Sequence, residues 1–369
     1  MERTPEPRLV AGELSEEARC VIYSPGHIGD VIQTGPLLRA IRKNHPRWSL
    51  SWVVGPWSAT LARGLRLADD VQEYGPAWSN YHRGRSLGQK GWPEEQARLR
   101  QLGQRKADVF ISTSGTNLDT LALGRSLQPS VWCGMEPDWP LYPVAPVQHL
   151  QRHQRDQYEA QFLLDLVRPI GIQGDDMVLT MRWDDEEERL ARELLQALAG
   201  SRIVALAPGA GWRGKQWPID SFRELGRRLL ADGVVLLLVG SSQEADLVAR
   251  VREGLNSERV LDISGRTSIP VLAAIFSHCA LLVCNDSGPM HLAAAVGTST
   301  VSLFAATHSK NGRPVASGIS RFNPLRTVQG VFLGIPSRPL HGPRWPWRQF
   351  RSIKCMTQQR TCSRSEAFK

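Results

Sequence analysis

Four short segments hold residue types and spacings that could do chemistry. In Pro25-Gly26-His27-Ile28-Gly29-Asp30, two glycines let backbone approach a ligand. Asp30 lies at the start of the following helix, where it either faces a cleft or serves only as an N-cap, a position Asp suits. The second segment, Pro208 to Pro218, contains Gly209, Gly211, Arg213, Gly214 and Lys215. Its glycines satisfy GxGxxG and GxxxxGK, but both motifs need a helix to open at about the last glycine, and Pro218 marks a later start. Gln216 also stands where a P-loop needs Ser or Thr for magnesium, so neither a dinucleotide fingerprint nor an NTPase fits. What remains is either an anion cradle or a solvated basic loop.

The third segment, Val239-Gly240-Ser241-Ser242-Gln243-Glu244, puts an acid after a second strand, where nucleotide-binding sheets place their ribose ligand. Glu244 serves equally as a first-turn acid that complements a helix dipole. In the fourth, Cys284-Asn285-Asp286-Ser287-Gly288-Pro289-Met290-His291, a buried strand ends at an acid and a helix opens. Free N–H groups at Ser287 and Gly288 make an anion site there. His291 either reaches the same ligand or is a satisfied helix-face histidine. No His/Cys/Asp cluster has metal-ligand spacing, and neither an Asp-x-Asp pair nor a GxSxG elbow occurs, so neither metal nor cofactor is expected.

These segments sit between elements of one repeated grammar. Apolar runs at 20–24, 49–55, 107–113 and 129–134 read as strands, with helical spacing at 31–44, 57–64, 93–105 and 117–126. The second half repeats the scheme with strands at 202–208, 234–240, 259–264, 280–285 and 298–304, separated by helical segments at 218–231, 242–254, 268–276 and 287–296. Strands alternating with helices predict parallel sheets covered on both faces. The proline-rich stretch 134–152 reads as a linker, followed by a helix over 154–167. The expected architecture is α/β, two doubly wound domains facing across a cleft, with boundaries at 18–150 and 151–307. Ligands then bind beyond the carboxyl ends of the strands.

The chain has 369 residues and a formal charge of +9. Residues 308–369 carry 12 basic residues, six prolines and only Glu366 as an acid, so the rest of the chain is close to neutral. This segment lacks helical or strand period and reads as an irregular basic tail that lies at the surface. A nucleic-acid reading would rest on the tail alone, and the tail lacks regularly interleaved aromatics. No apolar run approaches the roughly 20 residues of a membrane-spanning helix. The first 20 residues contain no apolar stretch, which argues against a secretory signal. Six cysteines without a CxxC pair read as free thiols in a reducing cytoplasm.

GHIGDVIQTGPLLRAIRKNHP, APGAGWRGKQWPIDSF, VGSSQE and ISGRTSIPVLAAIFSHCALLVCNDSGPMHLAAAVGTSTVSLF, in this order and spacing, resemble the heptosyltransferases of lipopolysaccharide core synthesis, glycosyltransferase family 9. The likeness covers roughly residues 18–307. It implies the GT-B fold of two Rossmann-like domains, the first binding acceptor and the second donor. It also implies inverting, metal-independent transfer of a heptose from ADP-heptose to the growing inner core on lipid A. By this resemblance Asp30 is the general base, beside an acceptor-side loop of Gly26, His27 and Gly29. Lys215 neutralises the leaving diphosphate, Gly209 lies in the donor loop, and Glu244 holds the ribose. Asp286 holds sugar hydroxyls, Ser287 and Gly288 the phosphates, and His291 also faces the donor. Another nucleotide-sugar transferase or an epimerase on the same fold is the alternative. The resemblance implies a cytoplasmic enzyme, and the basic segment 308–369 could hold it near the anionic inner leaflet. After Phe304 the chain departs from the family, which continues with a Gly-Pro-Thr-like turn and a closing segment.

Overall fold

The computed structural model describes residues 14–75, 92–115, 118–135, 149–151, 157–255, 257–304 and 333–334. The first sheet contains β1 (Arg19–Ser24), β2 (Ser49–Val54), β3 (Asp70–Glu73), β4 (Val109–Gly115), β5 (Val131–Met135) and β6 (His149–Gln151). Its helices are α1 (Ile28–Asn44), α2 (Ala59–Leu65), α3 (Trp92–Gly103) and α4 (Leu118–Leu127). Helices α5 (Glu159–Asp165) and α6 (Asp185–Leu195) lead to the second sheet. That sheet contains β7 (Ile203–Ala207), β8 (Val235–Leu238), β9 (Val260–Asp262), β10 (Leu281–Asn285), β11 (Thr300–Phe304) and β12 (Leu333–Gly334). Between them run α7 (Ile219–Ala231), α8 (Ala245–Arg252), α9 (Ile269–Ser277) and α10 (Gly288–Ala295).

Both sheets are parallel, in the orders β3-β2-β1-β4-β5-β6 and β12-β11-β10-β7-β8-β9. Each therefore reverses strand order between its first and fourth strands, which opens a crevice at their carboxyl ends. The segments after β1, β7 and β10 fall at those crevices.

Strand parity sorts the core. Cys20 and Ile22 of β1 face one apolar cluster, which also takes in Ala205, Leu237 and Leu282 of the second sheet and so runs between the two sheets. Val21 and Tyr23 face the outer cluster with Phe110 and Trp132. In the second sheet Val204, Leu236, Leu281 and Val283 form the opposite outer layer with Trp217 and Phe222. The sheets are joined through packed helices, α1 on α10 and α2 on α9. A strap after α5 fastens them further. Arg39 of α1 donates to Asp176, to Thr180 and to the Val178 carbonyl, while Met181 N–H donates to the Ala295 carbonyl at 3.3 Å.

Four elements escaped sequence reading. Strands β3 (DVQE) and β6 (HLQ) are short, polar edge strands without the β-branched runs that mark buried ones. Helix α6 is mostly charged, and its apolar stripe is reduced to Ala191 and Leu195 on the buried side. The basic segment, expected to lack strand structure, contributes Leu333–Gly334, paired with Leu303 and Phe304 at the sheet edge. The remainder of 305–369 and most of the 134–152 linker lie outside the described residues. Among the described residues no helix is long and apolar enough to cross a membrane. The four described cysteines, Cys20, Cys133, Cys279 and Cys284, are free and buried.

Candidate active site

His27, rather than Asp30, caps α1. Asp30 occupies the third helical position and completes a capping box, its Oδ2 accepting from the His27 N–H at 2.7 Å. This folds the carboxylate over Gly26, where any Cβ would lie 2.3 Å from Oδ2. Gly26 is itself held by its carbonyl, which accepts from Trp57 Nε1 at 2.9 Å and Ser58 Oγ at 3.2 Å. Trp57 and Ser58, in the loop after β2, thus fix the loop that carries Asp30. Neither was marked by sequence reading, because each acts on backbone and belongs to no motif.

Asp30 keeps an exposed face, yet protein surrounds it closely enough to desolvate its carboxyl. Desolvation there raises its carboxyl above the ordinary value. The His27 N–H bond opposes the rise, the Glu159 carboxylate adds to it, and the charges of His27 and Lys215 lower it again. A carboxylate raised in this way is a better proton acceptor than an exposed Asp.

On the other wall, Lys215 ends a 3-10 turn (Arg213–Lys215) after β7, and α7 begins only at Ile219 with Pro218 as its N-cap. The helix therefore does not open at Gly214, as either nucleotide motif would require. Lys215 Nζ donates to Asp286 Oδ2 at 2.8 Å, with side-chain exposures of 27 % and 10 %. Trp212 lies over Gly214, where a Cβ would meet its ring at 2.7 Å, and leaves its other side to solvent.

Beside this pair, Ser287 caps α10 with Pro289 in the first turn. Gly288 is the first helical residue, so its N–H belongs to the orphan donors of a helix start. Gly209 abuts Glu244, for a Cβ on Gly209 would fall 1.9 Å from Glu244 Oε1. Glu244 Oε2 meanwhile accepts from Ser241 N–H and Oγ at 2.8 and 2.9 Å. Glu244 is thus a capping acid whose other oxygen borders the glycine loop.

The two walls meet at their helix starts. A Cβ on Gly29 would lie 2.6 Å from His291 Cδ2, and one on Gly288 would lie 3.2 Å from the Ile28 Cβ. His291 is buried, its Nδ1 without a hydrogen-bond partner, and burial pushes its pKa down to about 4. Asp286 opposes that fall and Lys215 adds to it. His291 is therefore a neutral imidazole packed against α1. The structure brings Asp30, Lys215, Asp286, Gly288 and His291 within contact or electrostatic reach of one another, with the Gly209–Glu244 contact on the second sheet's side.

One residue inside a quoted segment was passed over. Asn285 is fully buried and bonds three backbone groups of the Lys215 loop. Its signal was a polar residue at the end of an otherwise apolar strand. Among the described residues no group of three or more His, Cys, Asp or Glu could hold a metal ion.

Comparison with known proteins bears on the fold and the family likeness. Residues 146–323 match the model of glycosyltransferase family 9 (heptosyltransferase). Lipopolysaccharide heptosyltransferase 3 of Escherichia coli is 30 % identical over 162 residues, 43 % of this chain and 48 % of that protein. The chain thus spans about half the length of that relative. Lipopolysaccharide heptosyltransferase 1 of Pseudomonas aeruginosa is 26 % identical over 310 residues, 79 % of each chain. Among solved structures, E. coli ADP-heptose lipopolysaccharide heptosyltransferase II superposes with a TM-score of 0.71 at 15 % identity, covering 93 % of this chain and 99 % of that one. An E. coli heptosyltransferase solved with ADP gives 0.65 at 17 % identity, covering 92 % and 99 %. The fold is GT-B. Its motifs, its paired sheets and its matches agree in likeness to the heptosyltransferases of glycosyltransferase family 9, whose family model matches residues 146–323, just under half of the chain.

Proposed function

We propose that this protein transfers a heptose, with inversion, from ADP-heptose to a hydroxyl of the lipopolysaccharide inner core. The observation that carries the reading is the apposition of Asp30, on the first sheet's leading helix, to the Lys215–Asp286 pair of the second. Acceptor binds on the first domain and donor on the second. Asp30 takes the proton from the acceptor hydroxyl while that oxygen attacks the anomeric carbon. The bond from that carbon to the diphosphate oxygen breaks, and ADP leaves carrying the electron pair.

Charge grows on the diphosphate as the bond breaks, so a fixed cation there favours the transition state over the ground state. Lys215 supplies that charge, and the N–H groups of Ser287 and Gly288 at the start of α10 hold phosphate oxygens. With those groups in place the transfer needs no metal. Glu244 is within the donor wall to accept from ribose hydroxyls, and Asp286 to accept from the sugar once Lys215 turns to the diphosphate. The relatives named above are lipopolysaccharide heptosyltransferases, and one was solved with ADP, which supports this donor and acceptor class.

The test is transfer to heptose-deficient core acceptor with ADP-heptose, UDP-sugars and GDP-sugars in parallel, with EDTA present and absent. Product with ADP-heptose alone, unaffected by EDTA, is expected. Turnover with a UDP- or GDP-sugar instead would refute the donor, and abolition by EDTA would refute the metal-free scheme.

A further inference from the structure

Strand parity exposes an exception in β10. Leu281 and Val283 face the outer apolar layer that holds Trp217 and Phe222, and Leu282 and Cys284 face the opposite side. The next residue on the outer side is Asn285, which is fully buried. A polar amide at an apolar station costs free energy unless every group on it is paired.

The pairing is complete and falls on one loop. Asn285 Nδ2 donates to the Pro208 carbonyl at 2.8 Å and to the Gly209 carbonyl at 3.2 Å, and Oδ1 accepts from the Trp217 N–H at 2.9 Å. The register of β10 beside β7, with Cys284 level with Ala207, brings Asn285 to the point where the loop leaves its strand. The amide therefore ties the first and last residues of the 208–217 loop together. Two donors and one acceptor are what these three backbone groups require. Asp would present a charge to two carbonyls, and Leu would leave all three groups unpaired.

Lys215 sits two residues before the Trp217 anchor, and its ammonium is bonded to Asp286, the residue after Asn285. Adjacent side chains thus hold the same loop in two ways, one by backbone and one by charge. Along the rest of the loop, Gly211 to Gly214 are exposed, so burial gives that stretch little support. We infer that Asn285 is a positioning residue for catalysis: by closing the 208–217 loop it aims Lys215 at the leaving diphosphate. The inference rests on the transfer function proposed above. Asn285 touches no reacting atom and acts through Lys215 alone.

A double-mutant cycle separates this role from a purely structural one. In an otherwise unchanged enzyme, Asn285→Ser should lower kcat/KM for the donor by about 10- to 100-fold, the scale of a cation misplaced by about an ångström. In a Lys215→Ala background the same substitution should change kcat/KM by no more than about twofold, since no ammonium remains to be aimed. Asn285→Thr, which like Ser keeps one hydroxyl donor, should give the same pattern with a first step of similar size. Amide exchange at Trp217 should quicken in both variants well below the melting temperature. Equal losses in the two backgrounds would overturn the assignment while leaving the transfer reading intact. A Lys215→Ala enzyme with full turnover would remove Lys215 from the reaction and overturn this role with it, whereas absence of transfer from ADP-heptose by the unchanged enzyme would overturn the transfer reading itself. Failure of both Asn285 variants to fold would also overturn it, by showing that the amide supports the domain rather than the loop.

Discussion

Replacing Lys215 by Ala should weaken ADP binding, and replacing Asp286 by Asn in the same molecule should restore part of it. The ammonium bonds the Asp286 carboxylate at 2.8 Å, and in the proposed reaction it turns from that anion to the donor's diphosphate. Removing it takes away the proposed attraction and leaves Asp286, only 10 % exposed, without its ammonium, a negative charge beside the proposed phosphate site. Breaking a fully buried pair costs about 3–5 kcal/mol, and an exposed pair contributes about 0–1 kcal/mol. Lys215 is 27 % exposed, which puts the pair between those limits. A loss of about 2–3 kcal/mol follows for ADP, or about 30- to 150-fold in Kd at 1.4 kcal/mol per decade. Asp286→Asn added to Lys215→Ala removes the repulsion and should recover about 1 kcal/mol, roughly fivefold. Titration calorimetry with ADP reads both steps, and the absence of a sugar keeps Asp286's hydroxyl contacts out of the measurement. A double variant that binds ADP no better than Lys215→Ala would refute the argument that Asp286 is Lys215's resting partner and the diphosphate's rival.

Asp30→Asn should keep ADP affinity within about twofold and lower turnover by about 10²-fold or more, the range general-base catalysis supplies; near-normal turnover would remove Asp30 from that role. Activity should fall on the acid side as Asp30 protonates, with the inflection in kcat/KM above the ordinary carboxylate range because burial raises the group; an inflection at the value of a free Asp would contradict the desolvated setting. Since the folded pKa is the higher one, the ionised group destabilises the fold at neutral pH, and this penalty disappears as pH falls through that pKa. Asp30→Asn, which still accepts from the His27 N–H, should melt no lower than the unchanged protein at pH 7. Gly29→Ala puts a methyl 2.6 Å from the His291 ring and should cost about 1–3 kcal/mol by thermal unfolding, with turnover reduced further as α1 and α10 are pushed apart. An unchanged melting temperature in that variant would mean that the two helices yield freely.

The alternation of strand and helix was legible because strands buried on both faces must be apolar throughout. IVALA of β7 and VLLL of β8 carry that requirement in their composition. The edge strands DVQE and HLQ carry no such requirement, and the two residues of β12 are too few to show a period, so sheet pairing alone reveals them. The candidate site divides along similar lines. Glycine beside acid or lysine after a strand is a local pattern, and it marked Asp30, Lys215, Glu244 and Asp286 without any knowledge of distant neighbours. What those groups do to one another is not local. The Lys215–Asp286 bond spans 71 positions, the Asn285 amide reaches back 77 to Pro208, and Gly26 is held by Trp57 from 31 residues away. Sequence by itself determined which strand ends carry charge, because chemistry resides in residue types and turns demand particular ones. Only the tertiary structure decided which of those ends face each other, because the order of strands in each sheet and the contact of Gly29 with His291 come from packing between segments far apart in the chain.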